Sequence, residues 1–245
     1  MVPDMESKFK INEALNWYDE DDLIYRINEY DEYAVEEAIR LKESKKDSFV
    51  TVLSVGNRLA EDSIRKVLSM GADKGVHIVS ETQEDSYQAA SLVYTYAKDK
   101  NFDIVFTGMQ SLDSLQMLFP PYLSGLLKYN FVTGIVDFKL ENNRIIVKKE
   151  LENGLKVRLK LNLPAVVGCQ LGLNTVRYPT LPNIMRAKKK ELISIDAKSL
   201  GDFENMAETK KVYYPAKNLN TIYLEGNTEE TASSLIKILK EKGLI

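Results

Sequence analysis

Polar residues that could bind a ligand follow the apolar run "FDIVFTG". Gly108, Gln110 and Asp113 lie in "FTGMQSLDS", residues 106–114. Glycine permits a close backbone approach, while the amide and the carboxylate supply polar contacts. In open parallel sheets, ligands bind beyond the carboxyl ends of strands, where main-chain N–H groups can hold a phosphate. The segment is compatible with a nucleotide site. The simpler alternative is a strand-end turn in which Asp113 caps the next helix.

A second strand of this kind ends in "LSVGN", residues 53–57, which contains Val55. Neither segment carries a G-x-G-x-x-G motif or a P-loop, so the local pattern alone does not establish a nucleotide site. Both runs are rich in β-branched residues and end in glycine, as buried parallel strands often do. Their two ends are the places where we expect a ligand.

The sequence contains few residues suited to bond-making chemistry. It has one histidine, His77, and one cysteine, Cys169. A disulfide framework and a cysteine-rich metal site are excluded, and too few histidines and cysteines are present to make a Ser-His-Asp triad or a zinc site a good candidate. Both residues lie in apolar runs, so we expect them to be packed in the core. We predict no catalytic residue and no metal site.

Composition limits the class of protein further. The chain has 245 residues, of which 44% are hydrophobic, enough for one large domain or a domain with an appendage. A net charge of −3 gives no case for a nucleic acid partner. There is no run of about 18 apolar residues, and "MVPDMESKFK" lacks a signal-peptide core. We therefore expect a cytoplasmic protein that does not insert into membranes.

Strand and helix patterns alternate through the first half of the chain. Helices are predicted in "DEYAVEEAIRLKES", capped by Asp31, and in three later segments, with buried strands between them. This order predicts an α/β fold with a parallel sheet and helices on both faces. Residues 133–169 then alternate apolar and polar, with turns at Asn142-Asn143 and Asn153-Gly154. They predict an antiparallel meander that leads into a buried strand, "PAVVGC".

The stretch "RYPTLPNIMRAKKK", residues 177–190, follows the last of these strands. Pro179 and Pro182 exclude a helix interior and a central strand, while Leu181, Ile184 and Met185 are too apolar for an ordinary linker. A polar tail without a core pattern continues to the amphipathic segment "TEETASSLIKILKEKGLI". We therefore divide the chain into an α/β domain, residues 1–176, and an arm, residues 177–245, that ends in a helix.

Six blocks taken in order resemble one family. They are "NEYDEYAVEEAIRLKE", "VLSMGADKGVHI", "FDIVFTGMQSLD", "LPAVV", "RYPTLPNIMRAKKK" and "EGNTEETASSLIKILKEKG". Together they are similar to the beta subunits of electron transfer flavoproteins. The resemblance implies a flavodoxin-like or Rossmann-like domain of the nucleotide-binding type, and an arm that wraps an alpha subunit in a heterodimer. It also implies one FAD shared with the alpha subunit, and electron relay from flavin-dependent dehydrogenases, such as acyl-CoA dehydrogenase, to an acceptor.

The resemblance also assigns roles to residues. In the family the loop that matches residues 177–190 recognises dehydrogenases, and its leucine anchors the partner. That leucine is Leu181, and the implied docking residues are Tyr178, Leu181, Pro182, Ile184 and Met185. Asn28 and Asp31 persist from a family motif near the flavin, and Tyr30 keeps an aromatic residue there. The implied cofactor-binding residues are Asn28, Tyr30, Asp31, Val55, Gly108, Gln110 and Asp113.

The sequence departs from the family at two places. Where relatives have a loop similar to "GxQAIDGDTAQVGP", which holds AMP or a second FAD, this chain has "GMQSLDSLQMLFPP". Leu115, Gln116 and Leu118 replace an acid, a threonine and a glutamine, so AMP binding is doubtful. Relatives also begin with a central strand before "VKQVPD", whereas this chain begins "MVPD". We expect that strand to be missing, which would expose two edges, and we favour a misassigned or trimmed start over a sheet built without the strand.

Three functions stay open at this point. The first is an electron carrier with one FAD. The second is a flavin-poor scaffold or regulatory paralogue that keeps the subunit interface and the docking loop, which the degenerate loop favours somewhat. The third is an electron-bifurcating subunit with its own FAD, against which Leu115 and Leu118 argue.

Overall fold

The computed structural model describes residues 1–20, 23–82, 84–216 and 221–245. The strands are Val2–Pro3 (β1), Tyr25–Arg26 (β2), Thr51–Gly56 (β3), Lys74–Val79 (β4), Ile104–Gly108 (β5), Asn130–Glu141 (β6), Arg144–Glu150 (β7), Lys156–Asn162 (β8), Ala165–Cys169 (β9) and Leu192–Asp196 (β10). The helices are Glu29–Ser44 (α1), Ala60–Met70 (α2), Ser86–Ala97 (α3), Phe119–Leu127 (α4), Leu181–Ala187 (α5), Ala197–Leu200 (α6) and Thr228–Glu241 (α7).

The described strands form two larger sheets and one two-stranded sheet. The parallel sheet has the order β10-β4-β3, and the mixed sheet has the order β5-β9-β6-β7-β8. Strands β1 and β2 pair antiparallel, with Val2 opposite Arg26. The predicted α/β class with parallel strands is confirmed.

Helices cover both faces of these sheets because side chains alternate along each strand. In β3, Val52 packs in a cluster with α2, whereas Leu53 packs in a cluster with α3. In β5, Ile104 packs beside residues of α1, whereas Val105 packs beside α3 and α4. One apolar layer therefore lies on each side.

A cavity of about 1510 Å³ separates β3 from β5. Each of these strands ends its sheet, so within the described residues each has a ladder partner on one side only. Half-buried apolar side chains from both strands line the cavity, among them Leu53, Val55, Val105 and Phe106. The carboxyl ends of both strands open onto one mouth of this cavity.

The predicted meander is present and continues out of the mixed sheet. Strand β6 pairs parallel with β9 over its first half and antiparallel with β7 over its second half. The register shifts around Gly134, whose φ of +72° suits a glycine bulge. Asn142 and Asn143 both have positive φ, as a two-residue hairpin turn requires. Asn153 and Gly154 also have positive φ, so both predicted turns are confirmed.

Residues 177–211 differ from the polar tail expected after the docking stretch. Strand β10 pairs parallel with β4, and Ile195 packs in a cluster with Val76 and Ile78. A run of five residues gives little periodicity of its own, so only pairing with β4 reveals it as a strand. The prediction of a tail without core residues from about residue 190 is therefore wrong for Leu192–Leu200.

Two compact units are formed, Met1–Lys211 and Val212–Ile245. The second contains α7, which begins with a capping box between Asn227 and Glu230 and has no buried residue. A functional division at residue 176 is a separate matter and stays a prediction. Within the described ranges, no helix is both long and apolar enough to cross a membrane.

Candidate functional site

The first turn of α1 is hydrogen-bonded to the loop that follows β5. Asp31 Oδ1 accepts from the Gly108 N–H at 2.5 Å, and Asp31 Oδ2 accepts from Asn28 Nδ2 at 3.0 Å. The same Asn28 Nδ2 donates to Gln110 O at 2.8 Å, and Asn28 Oδ1 accepts from the Leu112 N–H at 3.1 Å. Asn28 is only 3% exposed, so these bonds satisfy a buried amide.

Gly108 is required by this close approach. A Cβ at this position would lie 2.7 Å from the Cβ of Tyr30 and 3.0 Å from the Asp31 backbone nitrogen. Any other residue would push the strand end away from α1. The expectation of a glycine that permits close backbone approach is met by the geometry. The partner at that approach is α1, and the Gly108 N–H is already used by Asp31.

Six of the seven predicted cofactor residues line the cavity. They are Asn28, Asp31, Val55, Gly108, Gln110 and Asp113. Tyr30 does not line it and instead packs its Cβ toward Gly108. The structure therefore brings the two predicted strand ends and the start of α1 to one opening.

Asp113 does not cap the next helix. Helix α4 begins at Phe119, with Leu118 as its preceding residue and no side-chain cap. Asp113 Oδ1 instead accepts from Ser111 Oγ and from the Ser114 N–H within its own loop. The alternative role considered for Asp113 is therefore wrong. Asp31 likewise lies inside the first turn of α1, which Asn28 precedes, and does not cap it.

Carboxylates are prominent at the mouth of the cavity. Glu81, Glu84, Asp85 and Asp113 all line it. The lining lysines, Lys45, Lys46 and Lys100, follow α1 or α3, at the amino ends of β3 and β5. Among the described lining residues, the mouth at the carboxyl ends of the strands therefore has negative charges and no lysine or arginine. This charge distribution is unfavourable for a phosphate.

Two roles near the mouth were missed in the sequence. His77 is 2% exposed, and its Nε2 lies 3.1 Å from Gly56 O and 3.0 Å from Asn57 O. Since carbonyl oxygens only accept, this nitrogen donates, and it holds the turn at the end of β3. Thr107 borders the cavity, and its Oγ1 is buried without a hydrogen-bond partner among the described residues. Cys169 is fully buried, as expected.

The docking stretch projects apolar side chains into solvent. Exposed fractions are 93% for Tyr178, 72% for Leu181, 56% for Met185 and 39% for Ile184. Pro182 is also exposed, in the first turn of α5. Leu181 is the first residue of that seven-residue helix. The five predicted docking residues therefore lie together on one short, exposed segment.

The base of this segment is bound to α1 through a buried carboxylate. Arg177 Nε donates to Glu36 Oε2 at 2.9 Å, and Glu36 is 2% exposed. Burial raises the pKa of Glu36, but hydrogen bonds from Arg177 and Arg40 outweigh it, so the net pKa lies below the usual value. A faint signal exists in the sequence, because Glu36 lies three residues before Ile39 and so shares its buried face.

Among the described residues, no three His, Cys, Asp or Glu side chains are grouped so that they could hold a metal ion. The site therefore consists of hydrogen-bonding groups and apolar walls. It can hold and orient a bound group.

Comparison with known proteins agrees with this arrangement. The family model described as "Electron transfer flavoprotein domain" matches residues 16–200. The chain is similar to three proteins named electron transfer flavoprotein subunit beta. The one from Methylophilus methylotrophus is 31% identical over 97% of this chain and 94% of that protein. The one from Bacillus subtilis is 34% identical over 89% and 87%, and the human one is 35% identical over 92% and 88%. The chain therefore belongs to the electron transfer flavoprotein family, in its beta-subunit group.

Proposed function

We propose that this chain pairs with an electron transfer flavoprotein alpha subunit, that the two share one FAD, and that the heterodimer relays electrons from a flavin-dependent dehydrogenase. The observation that carries the proposal is the exposed segment from Tyr178 to Met185. Four apolar side chains stand in solvent on a segment whose base is bound to the core. An exposed apolar group on a fixed base has the character of a protein docking site.

Because carboxylates at the cavity mouth disfavour a phosphate, the residues there fit the ring of a flavin whose phosphates are held by another subunit. Thr107 borders the cavity, and its buried Oγ1, which has no hydrogen-bond partner among the described residues, is the kind of group that a polar atom of a cofactor satisfies. Asn28 and Asp31 brace the loop that follows Gly108, so the wall is already rigid. Val55 adds an apolar contact. When bound, FAD supplies the capacity to accept and pass on electrons.

The role of this chain is then to bind and to orient. Asn28 and Asp31 fix the backbone of residues 108–112 against α1, and His77 fixes the end of β3. These contacts fix each strand end to the element beside it, which arranges in advance the groups that would contact a bound cofactor. The docking segment brings the partner to the heterodimer. No proton transfer by the chain is required for this function.

We propose that AMP binds weakly or not at all. Leu115 is 63% exposed and Leu118 is 47% exposed, so neither offers a polar contact where relatives have one. Gln116 Oε1 accepts from Ser86 Oγ at 2.7 Å, so that oxygen is already paired. The carboxylates at the mouth oppose a phosphate. Stoichiometric AMP released from the denatured heterodimer would contradict this proposal.

The arm is proposed to wrap the alpha subunit. Helix α7 carries Leu235 and Ile236, each 48% exposed, on one side. A helix of 14 residues is marginal alone, and packing of an apolar face supplies most of the stability of such helices. Residues 217–220 of the arm lie outside the described ranges.

The decisive experiment counts flavins. The chain is co-expressed with its cognate alpha subunit, and the visible spectrum and protein content of the purified heterodimer are measured. One flavin per heterodimer is the expected result. No flavin in an intact heterodimer would support the scaffold alternative, and two flavins would support the bifurcating alternative.

A further inference from the structure

The exposed docking segment, residues 178–185, is fixed to the core on both sides. On its amino side, Asn174, Thr175 and Arg177 each hydrogen-bond to α1. On its carboxyl side, Ala187 is 2% exposed and packs in a cluster with residues of α2. The segment is therefore a short bridge between two fixed points, and its apolar side chains face solvent between them.

Arg177 makes the largest set of contacts at the amino side. Its Nε and backbone N–H donate to Glu36 Oε2 at 2.9 and 3.1 Å, and its Nη2 donates to Glu36 Oε1 at 3.1 Å. Its Nη1 and Nη2 donate to the two oxygens of Glu43 at 2.6 and 3.0 Å. One guanidinium thus bridges two carboxylates about two turns apart on α1. Such a planar fork fixes orientation as well as position.

The Glu36 carboxylate has a second partner that completes the arrangement. Arg40 Nε donates to Glu36 Oε1 at 2.7 Å, and Arg40 Nη2 donates to Thr175 O at 3.1 Å. Two guanidinium groups therefore face the two carboxylates of Glu36 and Glu43. A carboxylate as buried as Glu36 is tolerated only when it is fully paired, so loosening Arg177 would disturb the whole cluster.

The carboxyl side is held by backbone carbonyls. Arg65 Nη1 donates to Ala187 O at 3.2 Å and to Lys190 O at 3.0 Å. Lys190 Nζ donates to Leu68 O at 3.0 Å and to Ala72 O. These contacts tie the end of α5 to α2. The stretch between Arg177 and Ala187 therefore lies between two anchored ends.

We propose that Arg177 is a positioning residue for partner recognition: by bridging Glu36 and Glu43 it sets the direction in which Leu181 presents itself to a dehydrogenase. The inference rests on the proposed docking role of Leu181. Arg177 lies four residues before Leu181, with Pro179 between them, so a change of orientation at Arg177 is transmitted along a stiff connection. Fixing a loop in its bound conformation lowers the entropy lost on association.

A merely stabilising ion pair would behave differently. Loss of such an ion pair would lower the free energy of unfolding. It would change neither the backbone order of α5 nor the contribution of Leu181 to dehydrogenase binding. A positioning residue must show coupling to Leu181, because it acts only through that side chain. The test therefore measures coupling and local order together.

The variants are Arg177→Lys, Leu181→Ala and the double variant, each in the heterodimer with the cognate alpha subunit. Lysine keeps the charge but cannot form the fork that spans both carboxylates. Arg158→Lys, an exposed arginine in β8, is the matched control. The probe is acyl-CoA dehydrogenase, whose dissociation rate is measured by surface-based kinetics, and amide hydrogen exchange is followed over residues 181–187.

Arg177→Lys is expected to speed dissociation about 3- to 30-fold and to speed exchange over residues 181–187, with no change in the control. The dissociation rate of the double variant should lie within about two-fold of that of Leu181→Ala, because both substitutions weaken the same contact, the one made by Leu181. The positioning role of Arg177 would be refuted, and the docking role of Leu181 kept, by either of two results. The first is a double variant whose dissociation rate rises by the product of the two single effects. The second is unchanged hydrogen exchange over residues 181–187. No effect of Leu181→Ala would instead refute the docking role and, with it, this inference.

Discussion

Asp31 Oδ1 accepts the Gly108 N–H at 2.5 Å, and this bond joins the first turn of α1 to the end of β5. The contact is possible because Gly108 lacks a side chain, since a Cβ there would lie 2.7 Å from the Cβ of Tyr30. The start of a helix and the end of a strand are thereby held at a fixed separation at the mouth of the cavity.

Gly108→Ala should therefore destabilise the protein by about 1–3 kcal/mol, because the new methyl overlaps backbone and Cβ atoms that cannot turn away. Equilibrium unfolding in urea measures the loss. Gly125→Ala is the matched control, since a Cβ at Gly125 in α4 meets nothing within 4 Å. That change should be neutral or stabilising by about 0.5–1 kcal/mol. Equal stability of the two variants would contradict the close approach.

The pKa of Glu36 makes stability depend on pH in a definite direction. Its folded-state pKa lies below the ordinary value of 4.5, since the hydrogen bonds from Arg177 and Arg40 outweigh burial. A depressed pKa contributes stability above the unfolded-state value, and this contribution is lost as the pH falls through the folded-state pKa. The stability advantage of the wild type over Glu36→Gln should therefore shrink as the pH is lowered from about 7 to below 4.5.

Chemical unfolding of both proteins across this range measures the difference. Glu43 and Asp137 also have pKa values below the usual range, held there mainly by hydrogen bonds from Arg177 and Lys148. Asp137 is present in both proteins, so its contribution to the pH dependence of stability cancels when the two are compared. A difference that stays constant with pH would show that Glu36 is not held as a paired carboxylate.

Leu181→Ala should weaken binding of a dehydrogenase by about 1–3 kcal/mol, or roughly 5- to 150-fold in affinity. The loss should appear as faster dissociation, because a neutral truncation hardly changes the rate of encounter. Leu181 is 72% exposed, so melting temperature, flavin content and heterodimer assembly should stay near those of the wild type. Leu155→Ala, at a leucine 65% exposed, is the control for loss of an exposed leucine. A fall in thermal stability for Leu181→Ala would identify a packing residue.

Limited trypsin digestion should cut the isolated chain first at Lys210 or Lys211, where the first compact unit ends. The Lys210 side chain is 79% exposed, whereas Lys190 Nζ donates to Leu68 O at 3.0 Å. Residues 192–200 are secured by β10 and α6, so the cut should fall beyond them. In the heterodimer the arm should be protected. The same digestion rate with and without the alpha subunit would argue against an arm that orders on assembly.

The sequence alone determined the α/β class, because alternating strand and helix periodicities are local properties of the chain. The β6–β7–β8 meander was also readable, since Asn142-Asn143 and Asn153-Gly154 are turn sequences whose backbone preferences do not depend on distant residues. The exposed apolar segment could also be predicted from the sequence, for a related reason. Prolines at 179 and 182 exclude a helix interior and a central strand wherever the segment lies.

The tertiary structure decided what depends on contacts between distant residues. Strand β10 has no periodicity that marks it, and becomes a strand only by pairing with β4. In the sequence, Glu36 is one of several charged residues on a helix. Only the structure shows that Arg177, 141 residues away, pairs with it in a buried site. Asn28 gains its role from carbonyl and N–H groups of residues 110 and 112, which the fold brings beside it. Buried polar groups must find partners, and which partners they find is fixed by the fold and is not visible in local sequence.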